Sequence, residues 1–126
     1  MSEKILSAKA PEPVGLYPHA RKAGGLLFLS GVGPRSRGKK EIPKEFADQC
    51  HAVFKNVRTI LEDAGSDWSK LVDVTVYLTD MKKDFETYNR IYAEHFKDNQ
   101  PCRTTVEVLS LPTAIAIELK CIATLD

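Results

Sequence analysis

Pro101-Cys102-Arg103-Thr104-Thr105-Val106-Glu107-Val108 and, after a short connection, Ala114-Ile115-Ala116-Ile117-Glu118-Leu119-Lys120-Cys121-Ile122-Ala123 decide the fold. Both stretches alternate, so both read as strands with two unlike faces. In the first, Arg103, Thr105 and Glu107 share a face opposite Thr104, Val106 and Val108. In the second, Ile115, Ile117, Leu119 and Cys121 share a face opposite Ala116, Glu118 and Lys120. Residues 109–113, with Pro112, are short enough for an antiparallel return between the two strands. The Val/Ile/Leu face needs a cover. The other face, carrying Arg103, Thr105, Glu107, Glu118 and Lys120, is too polar for a second core and meets either water or another subunit.

Working outward, two helices supply the cover. Over residues 45–64 the apolar period changes to three and four, with Phe46, Cys50, Val53, Phe54, Val57, Ile60, Leu61 and Ala64 on one stripe. Gly65 stands where a helix stops. Residues 71–79 alternate again, with Val72, Val74, Val76 and Leu78 on the buried side of a strand. Asp84 is the expected cap of a second helix carrying Phe85, Tyr88, Tyr92 and Phe96. That helix should end near Asp98-Asn99, ahead of Pro101. Upstream, Gly25-Leu26-Leu27-Phe28-Leu29-Ser30-Gly31 is a short apolar strand between glycines, and residues 33–40 form a basic loop punctuated by Gly and Pro. The order is strand, helix, strand, helix, strand, strand, with one or two further strands before the first helix. It predicts an α+β fold, a mixed sheet with both helices on one face, in a single domain over residues 1–126.

At 126 residues the chain can bury one core, with little room for a deep private active site as well. A site shared between subunits is therefore expected. A net charge of +1 argues against a general nucleic-acid or membrane binder. No apolar run approaches the roughly 18–20 residues that span a bilayer. The N-terminus lacks an apolar signal core, and Cys50, Cys102 and Cys121 form no CxxC pair, which together point to a cytoplasmic setting.

Arginine carries a permanent charge on a planar fork that grips carboxylates at two points. Burying it unpaired costs roughly 3–5 kcal/mol. Arg103 thus either pairs with Glu118 or Glu107 or awaits an anionic ligand, and the pattern leaves both open. No metal constellation is present: His19, His51 and His95 are scattered, His51 and His95 on helix surfaces and His19 in a loop that lines a candidate cleft. Ser30 has no base partner in sequence, and no phosphate loop or GxSxG elbow occurs. What remains is a carboxylate clamp, Arg103, a semi-buried acid, Glu118, and polar groups around Ser30-Gly31. Those parts suit water addition to a polarised carbon.

Gly15-Leu16-Tyr17, Phe28-Leu29-Ser30-Gly31, Asn56-Val57, Asp73-Val74-Thr75-Val76-Tyr77-Leu78, Tyr88-Asn89-Arg90-Ile91-Tyr92, the Arg103–Val108 block and Ile117-Glu118-Leu119 resemble the Rid (YjgF) family of enamine/imine deaminases. Tyr17-Pro18-His19-Ala20-Arg21-Lys22, Ser30 to Arg35, Asp98-Asn99-Gln100-Pro101 and Pro112 to Ala123 carry a finer likeness to the 2-aminomuconate deaminases of aromatic-compound breakdown. The resemblance implies a homotrimer of chorismate-mutase-like subunits with clefts at the interfaces, and no metal or organic cofactor. It implies Arg103 on the substrate carboxylate, Glu118 on water, Ser30 and Gly31 as polar contacts, and Tyr17 and Asn89 lining the cleft, one or both from a neighbour. Many family members have cysteine where Thr105 stands, so reactive-thiol chemistry loses support. 2-Aminomuconate has two carboxylates and needs a second cation. Arg21, Arg35, Arg37 and Lys39 are candidates, with Arg35 favoured because it closely follows Ser30-Gly31. The alternatives kept open are a broad 2-iminobutanoate/2-iminopropanoate deaminase and a non-catalytic ligand-binding or chaperone-like trimer.

Overall fold

Strand β4 (Leu71–Leu78) is the axis of the sheet, because it bonds to both strands of the tail. A computed structural model describes residues 2–126. The other strands are β1 (Glu3–Ile5), β2 (Ala20–Ala23), β3 (Leu26–Leu29), β5 (Cys102–Glu107) and β6 (Ile117–Thr124), in sheet order β1-β2-β3-β6-β4-β5. Helices α1 (Phe46–Asp63) and α2 (Met81–His95) complete the chain, with a 3₁₀ turn at Trp68–Lys70.

The expected hairpin between the last two strands does not form. β5 pairs with β4 in parallel, and β6 pairs with the other edge of β4 antiparallel, so β4 separates them. The reason lies in α2. A helix between two strands returns the chain to the same end of the sheet, which makes β4 and β5 parallel neighbours. The 108–116 connection must then cross over β4 to reach the remaining edge.

Local chemistry explains the helix limits. At the end of α1, Gly65 takes the left-handed conformation (φ +83°). This lets Ser66 N–H reach Leu61 O and Gly65 N–H reach Glu62 O, closing the two orphan carbonyls as a Schellman pair. The cap of α2 is Asp80, not Asp84: Asp80 has non-helical backbone (φ −146°, ψ 85°), and its Oδ1 accepts from Lys83 N–H at 3.2 Å. Asp84 falls one turn inside and is buried. In β4 a bulge between Leu71 and Asp73 shifts the alternation, so Val72 turns outward and Leu71 takes its place in the core.

The core fills the space between the helices and one sheet face. Leu27, Leu29, Val53, Phe54, Val57, Leu61, Val74, Val76, Leu78, Ile117, Leu119 and Cys121 are all 0–1% exposed. Each large apolar side chain buried there contributes about 1.5–3 kcal/mol. The opposite face of the sheet has no cover among the described residues. Phe28, Tyr77, Glu118, Lys120 and Ile122 lie half-buried on it.

Arg103, Thr105 and Glu107 do not share that open face with Glu118. Arg103 pairs with Val74, and Val74 with Cys121, so all three point to the helices. Thr105 Oγ1 meets Tyr88 OH at 2.8 Å, and Glu107 Oε1 accepts from Met81 N–H at the start of α2. A polar row tolerates the helix side here because β5 is the edge strand and α2 offers it tyrosines and a free helix terminus.

Candidate active site

A cavity of about 370 Å³ opens beside Glu118, and Arg103 does not line it. Three segments wall it: a strap over residues 11–19, the turn over residues 30–35 after β3, and the loop over residues 112–115 before β6. Glu118 reaches this space from the even-numbered face of β6, whose other face packs in the core. Its carboxylate lies against Gly31, where an added Cβ would sit 2.5 Å from Oε2. Any larger residue at position 31 would displace the acid. Burial pushes the Glu118 carboxyl above the ordinary range.

The remaining wall residues are held firmly. Ser30 Oγ donates to Pro18 O at 2.7 Å, leaving its lone pairs for the cavity. Tyr17 OH accepts from Val14 N–H at 3.2 Å, so the ring lies along the strap. His19 lines the cavity, as its loop position suggested, yet both ring nitrogens are engaged. Nδ1 accepts from Ser7 N–H at 2.9 Å, which leaves Nε2 as the donor to Pro11 O at 2.7 Å. Asn56 on α1 donates to Gly33 O and Arg35 O, fixing the turn from behind. Gln49 ties Pro43 O to Ala116 N–H and steadies the approach to Glu118. Thr113 adopts a left-handed backbone (φ 68°), which costs a β-branched residue about 1–2 kcal/mol. That strain sits on the cavity wall.

Arg103 forms a second constellation, at the β5 edge. Its guanidinium lies over the rings of Tyr92 (4.7 Å) and Tyr88 (5.2 Å), and Nη1 donates to Asn89 Oδ1 at 2.8 Å. Burial raises both phenols, so the rings stay neutral beneath the cation. No carboxylate pairs with Arg103 among the described residues. Of the two sequence alternatives, the internal salt bridge is therefore not made. Asn89 belongs to this cradle and does not line the Glu118 cavity. The structure thus brings Glu118, Gly31, Ser30, Tyr17 and Arg35 together and sets Arg103 and Asn89 apart, across the sheet.

Arg35 lines the cavity, but its charge is met. Nη1 stands 3.6 Å from Glu12 Oε1, and Nη2 donates to the Glu12 carbonyl. Arg37 is likewise bound, to Ser7 O and Ala10 O. The basic loop grips the strap.

A model of the family described as endoribonuclease L-PSP matches residues 7–125. The chain belongs to this family, the Rid (YjgF) group. It is 43% identical over 124 residues to a RutC family protein of Pyrococcus horikoshii, covering 98% of both chains. It is 42% identical to the chloroplastic Reactive Intermediate Deaminase A of Arabidopsis thaliana, across 98% of this chain and 66% of that one. The crystal structure of YEO7_yeast superposes with a TM-score of 0.94 at 31% identity, covering 98% of each chain. The mixed sheet with two helices is thus the architecture of Rid structures.

The Arabidopsis relative is named as a deaminase. A half-buried acid beside an open cavity can move protons to and from water, and a preorganised guanidinium can hold a carboxylate. Cys50 and Cys121 are pushed up to about 12 by burial, so neither is a nucleophile. Among the described residues no three potential metal ligands gather, and no helix is long and apolar enough to cross a membrane. The periodicity put Tyr88 and Tyr92 on the α2 stripe without showing that they cradle Arg103, and it gave no signal for Glu12 or Asn56. Their roles arise from contacts between segments distant in the chain.

Proposed function

We propose that this Rid protein is a deaminase that hydrolyses imines and enamines of 2-amino acids, in clefts where Glu118 of one copy meets Arg103 of another. One observation carries this: an uncompensated acid and an uncompensated guanidinium lie on opposite faces of the same sheet. Neither makes a site alone, and a homotrimer supplies the missing half of each. The bare sheet face and the fully exposed Leu16 and Leu109 (106% and 100%) supply apolar surface for that contact.

The chemistry follows from the two groups. Arg103 holds the carboxylate and so fixes the adjacent carbon. The enamine takes a proton at its β-carbon to become the imine, and a proton at nitrogen makes the C=N carbon, next to the carboxylate, electrophilic. Water held by Glu118 adds as the carboxylate removes its proton. Glu118 returns the proton to nitrogen and then accepts the hydroxyl proton as the C–N bond breaks, so ammonia leaves and a 2-oxo acid remains. A raised pKa suits a group that must be both base and acid.

The narrower substrate is 2-aminomuconate, giving 4-oxalocrotonate. It needs a second free cation, and Glu12 occupies Arg35. The geometry therefore favours the broad monocarboxylate reading, imines such as 2-iminopropanoate and 2-iminobutanoate. A ribonuclease reading would have to use His51 and His95, which face each other at 3.0 Å. The groove beside them carries Glu62, Asp67 and Asp98 against Arg58, a poor surface for phosphates.

The test is ammonia release from freshly generated 2-aminoacrylate and 2-aminomuconate, side by side. Arg103→Ala and Glu118→Ala should each lower kcat/KM by about 100-fold or more while remaining folded. A folded variant that keeps full rate removes its residue from the mechanism.

A further inference from the structure

Arg35 is the only Lys or Arg on the wall of the Glu118 cavity among the described residues, and Glu12 meets it there. Glu12 is no casual surface partner. Gly38 N–H donates to both of its carboxylate oxygens, at 3.0 and 3.2 Å. That bond, with Arg37 and Arg35 close by, holds the Glu12 carboxyl below its ordinary range, so it is ionised throughout the neutral range. The other acid on the wall is Glu118 itself. The far end of the cavity is otherwise apolar, with Pro11, Pro13, Val14, Pro34 and Ile115.

We infer that Glu12 is a specificity-determining residue: by pairing its carboxylate with Arg35 at 3.6 Å it turns away a second carboxylate and reserves the cavity for imines with uncharged side chains. This rests on the deaminase reading above and names the substrate class of the same site. A dicarboxylate reaching Arg35 would place its distal charge beside the Glu12 carboxylate, with the cation there already engaged. Binding it would leave that anion desolvated and unpaired. Arg35 is also fixed by backbone, since its fork donates to the carbonyls of Glu12 and Lys39. A guanidinium has five N–H donors. Without the Glu12 charge, Arg35 stays aimed at the cavity with donors to spare.

The experiment compares wild type, Glu12→Gln, Arg35→Gln and the Glu12→Gln/Arg35→Gln double variant. Two ratios are read: kcat/KM for 2-aminomuconate over 2-aminoacrylate, and the affinity for glutarate over butanoate by calorimetry. Glu12→Gln should raise both ratios about tenfold, the worth of one freed charge contact. Arg35→Gln, which leaves Glu12 unneutralised, should lower them, and the double variant should lose the gain. Ratios discount any general loosening of the strap, and Arg35→Gln tests the idea from the other side if Glu12→Gln folds poorly. Unchanged ratios in folded variants overturn the inference. If wild type hydrolyses neither imine, the deaminase reading fails instead, and the glutarate-to-butanoate ratio still decides what Glu12 does.

Discussion

Gly31 has no side chain because Glu118 stands where one would go, and Glu118 stands there without a partner. An acid kept half-buried and unpaired opposes folding. Its folded pKa lies above its unfolded value, so folding is favoured below the unfolded pKa and weakened as pH rises through the folded one. Glu118→Gln should therefore abolish turnover yet raise the melting temperature at pH 8, by about 2 °C or more. Near pH 3, well below the unfolded pKa of about 4.3, the acid is protonated in both states and the two proteins should melt together. A wild type more stable than the variant at pH 8 would show that some group compensates the carboxylate. Arg103 and Glu118 were legible in the sequence because a charge inside an alternating apolar strand is an anomaly that demands a reason. Glu12 was not, since an acid between two prolines is unremarkable until the fold sets Arg35 beside it.

At the scale of elements, the seam between α1 and α2 carries its own titration. His51 Nδ1 and His95 Nε2 face each other across it, beside Phe54 and Trp68. Burial, then the neighbouring His51 and Arg58, push His95 below the usual imidazole range, while Glu94 pulls the other way. A depressed histidine contributes stability above its unfolded pKa of about 6.5 and loses it as pH falls through that range. Between pH 7.5 and 5.5 the wild type should lose more unfolding free energy than His95→Gln, by a few tenths of a kcal/mol once solvent screening is allowed for. Urea melts at the two pH values give this directly, and equal losses would remove His95 as the cause. Both helices were readable from their 3.6-residue stripes, to within a few residues. The cap of α2 and the pairing of β5 were not. Asp80 and Asp84 are equally good caps in isolation, and strand partners are chosen by the crossover through α2, which no local pattern records.

At the scale of the molecule, the decisive fact is that Arg103 and Glu118 face opposite sides of the sheet within one chain. Arg103 points to the helix side at the β5 edge, and Glu118 points to the bare side of β6, with β4 between them. Sequence showed both residues but placed them on one face, because a one-residue choice of phase in β5 moves every side chain across the sheet. If each cleft is shared between copies, two dead variants should revive one another. If the protein assembles as the proposed homotrimer, Arg103→Ala and Glu118→Ala, denatured together in equal amounts and refolded, should form mixed trimers. With random assortment, about one interface in four joins an intact Arg103 to an intact Glu118, so about a quarter of the wild-type rate should return. Each variant refolded alone should stay inactive. If the site lay within one protomer, every chain in the mixture would carry a defect and no activity would return, which makes the mixing experiment a direct measure of where the two halves meet.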